Sequence, residues 1–290
     1  PALVAGCTFV MKPSELTPST TAALMRILME AGTPVGVANL VLGAGPVAGA
    51  PLSSDPRVDL VSFTGGLVTG RRIMAAAAET VKKVALELGG KNPHIIFADA
   101  DLNAAIDNAV TAAFLHSGQV CSAGTRLLVE RTVHDEVVGA IVDRARAIRL
   151  GGPDDPDAET GALISEAHLI KVQKYCDDAV AEGATLVCGG HRAAGSELSR
   201  GWFFEPTVLD RCHTTMRCVQ DESFGPILTV EVFDTEAEAI ALGNDTIYGL
   251  SGGVWTRDEA KAERVAQALL HGTIWVNDYG PYRPEAEIGR

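Results

Sequence analysis

Short apolar runs alternate with helical patterns along the first ninety residues, and that alternation leaves few folds open. A run at 37–42 is bounded by glycines, 58–63 is a second such run, and 81–88 is a third. Each is too short for a buried helix and reads as a strand. Between them, Thr17 offers an N-cap and Pro18 a first helical residue. Leu24, Ile27, Leu28 and Ala31 follow at helical spacing, and Gly32 can end that helix. A helix of small residues is expected at 67–79. The order β-α-β-α-β predicts a parallel sheet with helices on both faces.

The α/β pattern continues with longer helices. Leu102, Ala105, Ile106, Ala109 and Ala113 share one face. Ser165 starts a helix that runs through Val172, Cys176 and Val180 to Gly183. Thr235 with Glu238, and Thr256 with Glu259, read as capping boxes. Strands are expected at 126–130, 203–209, 227–233 and 273–276. Gly89-Gly90 permits a sharp change of direction, which sets the expected domains at 1–89 and 90–290. A length of 290 residues accommodates two domains.

Composition narrows the function. The chain is 47% hydrophobic and 21% charged, which excludes a disordered protein. No apolar run is long enough to cross a membrane. The net charge is −13 and the basic clusters are only pairs, Arg71-Arg72 and Lys82-Lys83. That balance argues against duplex nucleic acid as a partner. With no targeting segment at the start, a cytoplasmic enzyme acting on small molecules is the expectation. The sequence begins Pro1-Ala2-Leu3 without a Met and ends Ile288-Gly289-Arg290, which reads as processing at both ends or as part of a longer chain.

The six cysteines are Cys7, Cys121, Cys176, Cys188, Cys212 and Cys218. They are too sparse for a disulfide scaffold. Cys212-His213 with Cys218 is the one local cluster of metal-ligand types, but no C-x-x-C spacing supports it. Reduced thiols and no metal are expected.

Several segments carry chemistry, each beside a plainer alternative. Gly43-Ala44-Gly45-Pro46-Val47-Ala48 follows a strand and matches G-x-G-x-x-A, yet position 63, where an acidic partner is expected, is Phe63. Thr64-Gly65-Gly66-Leu67-Val68-Thr69-Gly70 follows a strand and opens a helix, where backbone N–H groups favour a phosphate. An ordinary strand-to-helix turn is the alternative. Lys12-Pro13-Ser14-Glu15 lies at a strand's carboxyl end, suited to ribose hydroxyls or simply to a solvated turn. Glu87, between Leu86 and Leu88, is expected to be partly buried, which suits a general base; pairing with Lys91 is the alternative. Cys121 lies in the small-residue stretch Ser117-Gly118-Gln119-Val120-Cys121-Ser122-Ala123-Gly124, which leaves room for a substrate; an inert loop cysteine is the alternative. Asp221-Glu222-Ser223-Phe224-Gly225-Pro226 could hold ribose hydroxyls and a ring, or form a polar turn.

In order, these segments resemble the NAD(P)-dependent aldehyde dehydrogenase superfamily over essentially the whole chain. Ala5-Gly6-Cys7-Thr8, Ser62-Phe63-Thr64-Gly65, Leu86-Glu87-Leu88-Gly89-Gly90-Lys91, Gly118-Gln119-Val120-Cys121 and Gly272-Thr273-Ile274-Trp275-Val276-Asn277 all take part. The resemblance implies a Rossmann-like parallel-sheet cofactor domain followed by an α/β catalytic domain. It implies Cys121 as nucleophile and Glu87 as the base that activates water. Lys12 and Glu15 would hold the adenosine ribose, and Gly65, Gly66 and Gly70 would line the pyrophosphate loop. The Leu88 carbonyl would orient the carboxamide, Glu222 would hold the nicotinamide ribose, and Phe224 would pack beside the ring. The cofactor is NAD, or NADP; Glu15 disfavours a 2′-phosphate. Two departures stand out. Gly66-Leu67 replaces the family's usual Ser-Thr, and the Pro-Trp-Asn segment that supplies an oxyanion donor is not in the chain.

Thr64-Gly65-Gly66-Leu67, 74–88, His116-Ser117-Gly118 and Asn277-Asp278-Tyr279-Gly280-Pro281-Tyr282 look most like the betaine aldehyde group of that family. Tyr279 and Tyr282 are then expected at the pocket mouth, holding a trimethylammonium by cation–π contact, or else packing in a loop. The alternatives are a semialdehyde or broad-specificity enzyme, for which Arg126 is the one arginine close to Cys121, or a non-catalytic fragment. The resemblance also implies a parent that is a homodimer or homotetramer. A fragment with open sheet edges is expected to be unstable alone.

Overall fold

The computed structural model describes residues 1–283 and Glu285. Pro284 and 286–290, the end of the expected second domain, lie outside the described residues. The chain divides into two compact units, Pro1–Leu88 and Gly89–Arg290.

The first unit runs β1 (Phe9–Met11), α1 (Pro18–Glu30), β2 (Ala38–Leu40), a π-helical turn at Gly45–Gly49, α2 (Ala50–Ser54), β3 (Leu60–Thr64), α3 (Leu67–Ala78) and β4 (Lys83–Glu87). The strands pair parallel, as the alternation requires, β1 with β2 and β3 with β4. They form two separate two-stranded sheets rather than one. α1 starts on Pro18, whose fixed φ suits the first turn. Thr17 makes no side-chain cap bond. Gly32, at φ 89°, reverses the chain after α1. Among the described residues, the buried apolar side chains of this unit are Met25, Ile73 and Ala77.

The second unit contains β5 (Pro93–Ile96), α4 (Leu102–Phe114), β6 (Arg126–Glu130), α5 (His134–Ala147), α6 (Glu166–Ala181), β7 (Thr185–Cys188), β8 (Thr207–Asp210), α7 (Arg217–Gln220), β9 (Ile227–Phe233), α8 (Glu236–Asn244), β10 (Ser251–Trp255), α9 (Glu259–Ala268) and β11 (Thr273–Val276). Its seven-stranded sheet has the order β11-β10-β5-β6-β9-β8-β7. Every pair is parallel except β7 with β8.

Both faces of the sheet centre are covered. Ile96, Leu127 and Val129 pack with α4 and α5, while Ile95 and Leu128 pack with residues of α8 and α9. The central strands are therefore buried along both faces rather than alternating between buried and exposed. Burying each such Ile or Leu is worth ~1.5–3 kcal/mol. Ser165 caps α6 by accepting from the His168 N–H, and Thr235 caps α8 by accepting from the Glu238 N–H. The capping box expected at Thr256 is displaced. Asp258 caps α9, and Thr256 instead donates to Asp99.

Candidate active site

α4 ends at Phe114, and the chain then makes an unusual turn. His116, Ser117 and Gly118 have φ of 52°, 55° and 68°, three consecutive residues in the left-handed region. A non-glycine residue there costs roughly 1–2 kcal/mol, so the turn has to be held by its surroundings. The Ser117 N–H donates to Thr160 Oγ1 at 2.7 Å, and the Ser117 hydroxyl donates to the Gly161 carbonyl. Gln119 Nε2 donates to the carbonyls of His116 and Ala162 at 3.1 and 3.3 Å, and its Oε1 accepts from the Ile164 N–H at 2.9 Å. Thr160 and Gln119 thus brace the turn that precedes Cys121.

Cys121 emerges from this turn half-buried, whereas Cys176, Cys188, Cys212 and Cys218 are buried. It is the one cysteine of the second unit with solvent access among the described residues. Burial pushes the Cys176 thiol up to about 12, which makes it a poor nucleophile. Asn92, not singled out from the sequence, reaches this segment. Its Nδ2 donates to the carbonyls of Cys121 and Ala123, both at 2.9 Å.

The acidic segment lies close by in the same unit. Gly118 packs so near Gly225 that a Cβ on Gly118 would strike the Gly225 carbonyl. Glu222 Oε1 accepts from the Gly90 N–H at 3.2 Å. Burial raises the Glu222 carboxyl above its ordinary value, although that N–H and the Lys171 and Lys91 ammoniums pull the other way. Phe224 has φ 54°, and its carbonyl accepts from His168 Nε2 at 2.6 Å. The His168 and Phe224 rings meet edge-on at 6.2 Å. His168, which the sequence does not single out, thus holds the Phe224 backbone; only its place in the first turn of α6 marks it.

Tyr279 and Tyr282 both converge on Ser122. Tyr279 is only 9% exposed, so the expected place at a pocket mouth is corrected. Its ring stacks on His94 at 5.0 Å and lies 4.7 Å from Trp275, and its hydroxyl donates to the Ser122 carbonyl at 2.8 Å. Tyr282 is 50% exposed and hydrogen-bonds the Ser122 hydroxyl. Arg126 is fully buried and ion-paired with Glu231 at 2.5 Å, so it is not presented to an anionic substrate. Lys91 is also fully buried, and its Nζ has no hydrogen-bond partner among the described residues. Burial brings it down to about 8.

In the first unit, the structure joins two segments that the sequence presented separately. Lys12 Nζ donates to the Gly43 carbonyl at 3.0 Å and to the Pro13 carbonyl at 2.5 Å, and lies 3.8 Å from Glu15. The Glu15 carboxylate is exposed. It is held below the usual range by its own backbone N–H, helped by the Gly45 N–H and by Lys12. Gly65 donates its N–H to the Glu87 carbonyl at 2.9 Å. Gly66 precedes α3 with no side-chain cap, and although the Thr69 and Gly70 N–H groups donate to the Gly66 carbonyl, those of Leu67 and Val68 point out of the helix start toward a ligand. Gly70 lies one turn further on, inside α3. It is buried, and a Cβ there would come 2.6 Å from the Leu88 side chain. Its place is the helix–strand contact rather than the loop. The expected burial of Glu87 is not observed: β4 alternates, and Glu87 falls on its exposed face.

A family model described as the aldehyde dehydrogenase family matches residues 1–289. The chain belongs to the aldehyde dehydrogenase family. It is 54% identical over 289 residues to a betaine aldehyde dehydrogenase of Bacillus subtilis (strain 168), covering all of this chain and 59% of that relative. It superposes on a crystal structure of betaine aldehyde dehydrogenase from Staphylococcus aureus in complex with NAD+. The TM-score is 0.98 and the identity 52%, over 100% of this chain and 57% of that one. An apo form of a variant of the same Staphylococcus aureus enzyme gives a TM-score of 0.97 at 52% identity, over 99% and 57% of the two chains. The chain thus spans a little under three fifths of these aldehyde dehydrogenases, and its fold is theirs over that span.

Proposed function

We propose that this chain carries the coenzyme-binding and thiol chemistry of an NAD+-dependent betaine aldehyde dehydrogenase. The observation that carries the reading is Cys121, the one accessible thiol among the described residues of its unit, delivered by a braced left-handed turn. Similarity to betaine aldehyde dehydrogenases over the whole chain supports the substrate.

The donor set fits a dinucleotide. The uncapped first turn of α3 offers N–H groups to a pyrophosphate, with Gly65 and Gly66 allowing close approach. Lys12 and Glu15 would hold the adenosine ribose, and Glu222 the nicotinamide ribose. Phe224 would pack beside the ring, and the Leu88 carbonyl would orient the carboxamide. Lys12 is engaged by carbonyls and Glu15 is anionic, a pairing that favours NAD+ over NADP+.

The Cys121 thiolate adds to the aldehyde carbon, and the Cys121 backbone N–H donates to the oxyanion that forms. NAD+, when bound, supplies the acceptor for the hydride this carbon releases, which leaves a thioester on Cys121. Glu87 takes a proton from the water that attacks the thioester carbon. The C–S bond breaks, Cys121 leaves as thiolate, and the carboxylic acid is released. Aldehyde, NAD+ and water give carboxylate, NADH and two protons. Tyr282 offers an exposed ring face to the trimethylammonium, and Tyr279 supports it from the core.

The test is NADH formation at 340 nm with betaine aldehyde and a panel of neutral and anionic aldehydes. Turnover with betaine aldehyde, abolished in Cys121→Ala, is expected. Turnover that survives this substitution would refute the mechanism. A preference for anionic aldehydes would refute the substrate.

A further inference from the structure

Cys121, Ser122 and Ala123 turn three consecutive carbonyls toward buried side-chain donors. Asn92 Nδ2 donates to the carbonyls of Cys121 and Ala123, both at 2.9 Å, and Tyr279 Oη donates to the Ser122 carbonyl between them at 2.8 Å. Asn92 is 1% exposed, and among the described residues its side chain makes one further bond, Oδ1 accepting from the Ser251 N–H at 3.1 Å. Both amide hydrogens and the amide oxygen therefore have partners. The orientation of the amide follows from the chemistry, because the reverse would set an oxygen against two carbonyls.

The sequence builds this contact deliberately. Asn92 follows Gly89-Gly90 and stands at the entry to β5, while Ser251 opens β10, the neighbour of β5 in the sheet. A Cβ on Gly90 would come 2.8 Å from the Cys121 carbonyl and would also strike the Asn92 amide. Only glycine lets the two meet. Tyr279 is fixed in turn by His94 and Trp275.

We propose that Asn92 is a positioning residue for Cys121, with the Tyr279 hydroxyl as its auxiliary. The pair ties the thiol segment to β5 and to the chain after β11, and so sets where the sulfur and its backbone N–H stand. This rests on the reading of Cys121 as nucleophile. Neutral amide and hydroxyl donors suit the task. They orient carbonyls without placing a charge beside a thiolate. An aspartate of the same shape would set a carboxylate oxygen against two carbonyls and lose both donors. Displacement of a reacting group by about 1 Å can cost ~10²-fold in rate.

The experiment is iodoacetamide alkylation of the intact chain across pH, resolved by peptide mass spectrometry. Exposed Cys7 is the internal reference, and the four buried thiols report on folding. Asn92→Asp is expected to slow Cys121 alkylation by at least roughly tenfold and to move its pH midpoint. Tyr279→Phe, which keeps the ring stack, slows it by a few-fold at most. Cys7 and the buried thiols stay unchanged in both variants. A Cys121 rate within about twofold of the unaltered chain in Asn92→Asp overturns the proposal. So does a slowing accompanied by alkylation of Cys176, Cys188, Cys212 and Cys218, since that reports loosening of the core. If Cys121 in the unaltered chain reacts no faster than Cys7, the reading of Cys121 itself fails, and the inference falls with it.

Discussion

Glu222, proposed to hold the nicotinamide ribose, is a partly buried carboxyl group. Burial raises it above the ordinary value, and the Gly90 N–H only partly offsets that. A carboxylate accepts charge-assisted hydrogen bonds from ribose hydroxyls, and a neutral acid accepts weaker ones. Burial therefore lets Glu222 take its proton at a higher pH than an exposed glutamate, and under the proposed ribose role acid weakens NAD+ binding as it does so. NAD+ affinity by calorimetry is expected to fall on acidification as Glu222 protonates. In Glu222→Gln it is weaker throughout and lacks that fall. An unaltered chain whose pH dependence matches that of Glu222→Gln would refute the assignment. Sequence order pointed to Glu222, Cys121 and Glu87, but not to their surroundings. Glu87 sits between leucines yet is exposed, because a strand alternates its faces and β4 places Glu87 outward. Asn92 carries no mark in the sequence beyond its neighbours, since its partners are carbonyls some thirty positions away.

At the scale of elements, the elements most legible from sequence were those whose pattern is local. β6, β9 and β11 coincide with apolar runs, and α6 and α8 begin at their capping residues. The sequence does not mark β5, β7 or β10 as strands. β5 opens with Pro93 and contains His94, and β10 carries Gly252 and Gly253. Those residues lower strand propensity, and the reason for them is tertiary. A Cβ on Gly253 would come 2.6 Å from the Tyr279 ring. The same sheet holds an ion pair that links β6 to β9, Arg126 with Glu231, at 0% and 2% side-chain exposure. Removing one partner leaves a buried charge and costs about 3–5 kcal/mol, whereas replacing both with apolar groups is often neutral. Glu231→Gln is therefore expected to lower the denaturation midpoint sharply, and Arg126→Met with Glu231→Leu to recover most of the loss. A double variant no more stable than the single one would show that the pair itself, and not the orphaned charge, sets stability.

For the whole molecule, the two units differ in how much apolar surface they bury. The first unit buries Met25, Ile73 and Ala77 among its described apolar side chains, and leaves Leu24, Ile27, Met29, Leu60 and Val68 exposed. Its strands stand in two-stranded pairs, an arrangement that is marginal in isolation because it lacks a covered face and leaves edges open. The second unit surrounds seven strands with three apolar clusters. With so few buried apolar side chains, the first unit has little to set against the entropy of ordering its backbone. Opening of the first unit is therefore expected at much lower free energy than opening of the second. Amides of β1 to β4 should exchange with deuterium far faster than those of β5, β6 and β9. Brief thermolysin treatment should degrade 1–88 and leave a protected fragment that begins near Gly89. Uniform protection across both units, with one cooperative unfolding transition, would refute this. Under the proposed coenzyme role, opening of the first unit before the second would make NAD+ binding a step that consolidates 1–88. NAD+ should then slow exchange in β3, β4 and the first turn of α3 more than anywhere in the central strands of the second unit.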